Sequence, residues 1–135
     1  MIRRAALALC FAAMPAMAQD LSFFQPPNGY IGCMAFLGDH SELRCDLHEF
    51  TPSFTRRPAD CDLDWGDSFA IGAQDDKGNL VCHGDTVFDP AATVLGYGQS
   101  ATFGPFTCTS DQTGMTCTND LGHGFSIARA RQSVF

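Results

Sequence analysis

Seven cysteines occur in the 135 residues, and their placement constrains the fold more than any other feature. Cys10 sits in an apolar amino-terminal run, while Cys33, Cys45, Cys61, Cys82, Cys108 and Cys117 form an even set, the pattern of a disulfide framework. Local pattern narrows the pairings. Phe106-Thr107-Cys108-Thr109 and Met115-Thr116-Cys117-Thr118 flank the turn signal Asp111-Gln112-Thr113-Gly114, which reads as a hairpin with one cysteine on each facing strand. Tyr30-Ile31-Gly32-Cys33 and Leu43-Arg44-Cys45-Asp46 repeat the arrangement around Gly38-Asp39-His40-Ser41. The expected bonds are therefore Cys108 to Cys117 and Cys33 to Cys45. By elimination Cys61 bonds Cys82, across a further hairpin of Ser68 to Ala73 and Asn79 to His83 around Asp75-Asp76-Lys77-Gly78-Asn79. Zinc is the competing use of cysteine, but no C-x-x-C or close Cys-His spacing supports it.

Disulfides persist in oxidising compartments, and the amino end agrees with export. Arg3 and Arg4 form a positive head, Ala5 to Ala13 a short apolar run, and Ala16-Met17-Ala18 a small-x-small cleavage site. The expected organisation is a signal peptide over residues 1–18 and one disulfide-rich β domain over residues 19–135, periplasmic or secreted. The apolar run is about half the roughly 20 residues that span a bilayer, so no membrane insertion is expected. A lipid anchor on Cys10 would need small residues just before it, and Leu9 precedes it.

Removing that leader takes two of the eight basic residues and none of the fifteen acidic ones, which leaves six against fifteen and a net charge of −9. Such a surface repels nucleic acid and anionic lipid and attracts basic proteins or cations. Short strands separated by Gly, Pro, Asn and Asp run to the end without sustained helical periodicity. The expected fold is all-β: a small antiparallel β-barrel or sandwich built of hairpins, stapled by three disulfides. Leu43, Leu80 and Met115 each stand two residues before a cysteine, which places each pair on one face of a strand. Thr51 to Pro58 reads as an irregular crossing and Asp89-Pro90-Ala91-Ala92 as a turn. A terminal Phe135 can mark an outer-membrane strand, but its face would carry Arg129 and Arg131 into lipid, so a soluble domain is expected.

Phe24-x-x-Pro27-Asn28-Gly29-Tyr30-Ile31-Gly32-Cys33, Arg44-Cys45-Asp46, Cys82-His83-Gly84-Asp85-Thr86, Leu95-Gly96-Tyr97-Gly98 and Gly114-Met115-Thr116-Cys117-Thr118-Asn119, with Gly122-His123-Gly124-Phe125, follow one another in order. Over about residues 22 to 135 the chain resembles a family of small exported bacterial six-cysteine domains of unknown function. That resemblance implies a secreted or periplasmic address and no assigned chemistry. Thr102 departs from it, at a place where such domains would carry an aromatic residue.

Chemistry has few footholds. No H-E-x-x-H, G-x-S-x-G or S-x-x-K pattern occurs, and cysteine is spent on bridges, so no catalytic residues, enzyme activity or cofactor are expected. His83 and Asp85 share a strand face and would pair if the strand persists, whereas His123 and Ser126 point to opposite faces. Asp60, Asp62, Asp64 and Asp67 form the acidic segment around Trp65. As a strand it would turn Asp60, Asp62 and Asp64 to water and Cys61, Leu63 and Trp65 inward. As a loop it would offer carboxylates to calcium, although a glycine at the seventh place and Ile71 at the bidentate position break the usual pattern. The expected function is a monomeric, non-enzymatic binding module for a basic envelope or secreted protein, in the manner of an inhibitor of a basic hydrolase such as lysozyme. Asp60, Asp62, Asp64, Asp67, Tyr97 and His123 are its candidate surface. The alternative is an envelope protein that takes a small ligand or calcium on the Asp60–Asp67 segment, and a hydrolase using His83 comes after both.

Overall fold

The computed structural model describes Cys10, Ala12 and residues 20–135. The expected signal peptide lies outside the described residues apart from Cys10 and Ala12. Eleven strands follow: β1 (Asp20–Gln25), β2 (Ile31–Leu37), β3 (Glu42–Leu47), β4 (Ser68–Gly72), β5 (Asn79–Leu80), β6 (Thr93–Val94), β7 (Ser100–Phe103), β8 (Phe106–Ser110), β9 (Gly114–Thr118), β10 (Gly124–Ala128) and β11 (Gln132–Val134). They form a six-stranded sheet in the order β5-β4-β3-β2-β1-β6 and a five-stranded meander in the order β11-β10-β9-β8-β7. The two layers make a sandwich rather than a closed barrel. No helix among the described residues is long and apolar enough to cross a membrane.

The core follows period-two alternation. Cys33 and Ala35 of β2, Leu43, Cys45 and Leu47 of β3, and Phe69 and Ile71 of β4 turn inward and meet Phe106, Cys108, Met115, Cys117, Phe125 and Ile127 of the second sheet. Cys33 stands opposite Cys45 and Cys108 opposite Cys117 in the strand registers, each pair with Cα atoms 4.1 Å apart and each bonded. That is the short spacing of a non-hydrogen-bonded antiparallel pair, the placement the hairpin pattern led us to expect. The third bond joins Cys61 to Cys82.

Three features refine the sequence reading. The pairing is not wholly antiparallel, because β6 adds to β1 in parallel through Phe24 and Gln25. β5 is two residues long instead of running to His83, so Leu80 and Cys82 do not share a core face as Leu43 and Cys45 do: Leu80 is half-buried and Cys82 exposed. At Arg129 and Arg131 the chain turns between β10 and β11.

One side of the sandwich is closed by irregular chain. Gln132 ties the Thr51–Pro58 crossing to β11: its side chain accepts the Ser53 N–H at 2.8 Å and donates to the carbonyls of Thr51 and Ala128. Nearby, the Phe135 carbonyl accepts the N–H of both Gly78 and Gly124, so the start of β5 meets β10 directly. A methyl group on Gly78 would run into the Gly124 backbone, which is why glycine occupies that corner.

Candidate functional site

Residues of β2, β3 and β4 that alternate with the core face the opposite side of the first sheet. There Gly32, Asp46 and Ser68 lie in register across the three strands, with Arg44 one step along β3. Polar residues on an outer sheet face ordinarily meet water. These do not: Arg44 is 7% exposed, Asp46 1% and Ser68 0%. The chain after the Cys82 bridge folds over them. Val87 is buried, and Phe88 lies against Gly32, where a Cβ would come within 2.6 Å of the Phe88 ring.

Burying a charge is tolerated when every polar group finds a partner. Asp46 meets that condition: Oδ1 accepts Arg44 Nε at 2.9 Å and the Ser68 hydroxyl at 2.6 Å, and Oδ2 accepts Arg44 Nη2 at 3.0 Å and the Val87 N–H at 3.0 Å. Arg44 also donates Nη1 to the Asp85 carboxylate at 3.0 Å and Nη2 to the Asp85 carbonyl at 3.3 Å. Burial works against the charge on Arg44, but its bonds to Asp46 and Asp85 outweigh it and hold the pKa above its ordinary value. The same Arg44 bond holds the carboxyl of Asp85 below the ordinary carboxylate value.

His83 joins the covering loop to the segment before β4. Its Nδ1 is 2.6 Å from the Asp85 carbonyl and its Nε2 2.7 Å from Asp67 Oδ1. A carbonyl only accepts and a carboxylate only accepts, so both bonds form together only when both ring nitrogens carry protons. Burial opposes that charge, yet the bonds to Asp67 and to the Asp85 carbonyl, with the fields of Asp67 and Asp46, prevail and raise the pKa of His83. Asp64 and His83 also exchange backbone N–H bonds at 2.8 and 3.2 Å, beside the Cys61–Cys82 bridge.

Between these segments opens a cleft of about 540 Å³, lined by Asp46, Leu47, His48, Asp64, Asp67, His83, Gly84, Asp85, Thr86 and Phe88. His48 and Phe88 stack at 4.0 Å between ring centroids and form its aromatic wall. The Asp85 side chain is 77% exposed and that of Asp67 29%, whereas His83 keeps only 6%.

Of the acidic segment, Asp64 and Asp67 reach the cleft, while Asp60 and Asp62 are exposed beyond its lining. The segment is a loop with one bridge rather than a strand, so Leu63 is 52% exposed instead of buried and Trp65 is half-buried. Among the described residues no three His, Cys, Asp or Glu side chains gather as metal ligands. Tyr97 and His123 stand elsewhere and apart from each other. Tyr97 lies in the turn whose Gly98 bonds Ser110 near the start of β9, and His123 lies in the turn after its end, bonded to Asn119. Ser126 bonds Thr116 instead of His123.

The strand does not persist to His83, and the His83 and Asp85 side chains do not pair: Asp85 gives His83 its carbonyl and gives its carboxylate to Arg44. Sequence reading missed Arg44, Asp46, Ser68, His48 and Phe88. The available signal was Arg44-Cys45-Asp46, two charges flanking a cysteine that must face the core.

No curated protein and no solved structure matches the chain. A family model matches residues 5–135, nearly the whole sequence. The chain thus belongs to the family of unknown function DUF6636.

Proposed function

We propose that the protein is a non-catalytic binding module of the periplasm or the secreted space, and that its cleft takes a cationic side chain of a basic protein. The observation that carries this reading is the cleft itself: Asp64, Asp67 and Asp85 line it together with the stacked His48–Phe88 pair. A guanidinium or ammonium group is attracted both by carboxylates and by an aromatic face. Disulfides and a hydrogen-bonded floor hold these groups in place before binding, which lowers the ordering cost of association. A net charge of −7 over the whole chain would steer basic partners toward it.

The side chains of catalytic type near the cleft are committed elsewhere. Ser68 is fully buried and donates to Asp46, both nitrogens of His83 are bonded, and the six cysteines of the domain form disulfides. A basic hydrolase such as lysozyme is the partner class to test first. Titration of the oxidised protein with lysozyme at low and moderate salt should show binding that weakens steeply as salt rises, and that Asp64→Asn weakens further. No binding at low salt, or binding indifferent to Asp64→Asn, would contradict the cleft reading.

A further inference from the structure

His83 does more than hold two loops together. Asp67 lines the cleft and at the same time pairs with His83. Because Asp67 is partly open to solvent and His83 is not, an incoming cation can reach Asp67 but cannot easily displace the imidazole. The other charges around the ring offer no substitute. From β3, Asp46 adds its field to that of Asp67 at the ring, but its oxygens are taken by Arg44, Ser68 and Val87; Asp85 gives its carboxylate to Arg44; Asp64 meets His83 through backbone bonds. His48, on the opposite wall, bonds the Gly29 carbonyl and stacks on Phe88.

We infer that His83 is a built-in competitor for the cleft: as an imidazolium it neutralises Asp67, and its deprotonation frees that carboxylate for the partner's cation, so binding tightens as pH rises. The inference rests on the binding role proposed for the cleft. Its direction follows from linkage. A cation bound at Asp67 favours neutral His83, so protonation and partner binding oppose one another, and binding releases a proton from those molecules in which His83 is charged. The raised pKa sets the window, with competition complete below about 6.5, the ordinary histidine value, and relieved as pH passes the higher value in the folded protein.

The test is calorimetric titration of the whole oxidised protein with N-acetylated tetra-arginine amide at pH 5.5 and 8.5, repeated for His83→Gln and Asp67→Asn. Two buffers of different ionisation enthalpy count the protons released. The wild type should bind at least about fivefold more tightly at the higher pH, the lower end of common coupling strengths, and should release protons between the two. His83→Gln should bind with little pH dependence, which separates His83 from His48. Should that variant fail to fold, Asp67→Asn carries the comparison, with weak and flat binding. Wild-type affinity that is flat or falls with pH, or a rise that persists in both variants, overturns the competitor while the cleft reading stands. No binding at either pH overturns both.

Discussion

The two faces of the first sheet are built from alternate residues of the same strands, yet they are buried by different means. On the inner face Cys33, Leu43, Cys45, Phe69 and Ile71 pack against a second sheet, and two disulfides join strands that already pair. On the outer face Arg44, Asp46 and Ser68 are covered by a loop with no regular structure, and that loop is held by their own hydrogen bonds and by Cys61–Cys82. Apolar burial needs only area and fit, and it tolerates imprecision. The polar face is secure only while every member has its partner, since one vacancy leaves a buried charge behind. What the arrangement gains is a cleft whose walls are fixed without being strands.

Breaking the comparison starts with Asp46. Asp46→Ala removes the carboxylate that accepts two bonds from Arg44 and one each from the Ser68 hydroxyl and the Val87 N–H, and should cost about 3 to 5 kcal/mol, measured by urea denaturation. A loss below about 1 kcal/mol would mean that the outer face is no true polar core. Replacing Cys61 and Cys82 together by Ser should cost about 3 kcal/mol for a separation of 21 residues. Its local signature should be loss of amide protection at Asp64, His83 and Val87 while Cys45 and Cys117 keep theirs. Equal loss everywhere would show that the bridge serves the whole fold rather than the covering loop.

A pH dependence sharpens the comparison further. His83 has a higher pKa folded than unfolded, so its contribution to stability is complete below about 6.5 and is lost as pH rises through the folded value. The denaturation midpoint of the wild type should fall across that interval while that of His83→Gln stays flat, and parallel curves would contradict the ion pair. If His83 competes for the cleft as proposed, stability and partner affinity should move in opposite directions with pH. The smallest effect belongs to β8 of the second sheet. Ser110 is fully buried, and its hydroxyl has no hydrogen-bond partner. Ser110→Ala should therefore be neutral or slightly stabilising, within about 0.5 kcal/mol, and a loss above about 1 kcal/mol would reveal a bond to that hydroxyl.

The inner face was legible in the sequence because its cause is local. Alternation around each cysteine and a turn signal between strands set the Cys33–Cys45 and Cys108–Cys117 registers. The outer face was not, because its cover comes from far along the chain: Val87 and Asp85 meet Asp46 and Arg44 across 41 residues. Arg44 and Asp46 alternate with buried residues as any solvent-facing pair would, and nothing near them announces a lid. The acidic segment was misread as a strand for the same reason. Leu63 and Trp65 alternate correctly with the aspartates, but only one residue of the segment, Asp64, finds a bridge partner. Cys61–Cys82 was reached by elimination, and its consequence, a clamp on the cleft, was invisible without the position of His83.

A buried polar network fixes an irregular loop and so preforms the cleft. Residue-resolved amide hydrogen exchange of the oxidised, partner-free protein tests it most directly. The account predicts protection of the Val87 N–H, whose acceptor is Asp46, within about tenfold of that at Cys45 in the sheet beneath. Exchange of Val87 at the rate of an unstructured amide would contradict it.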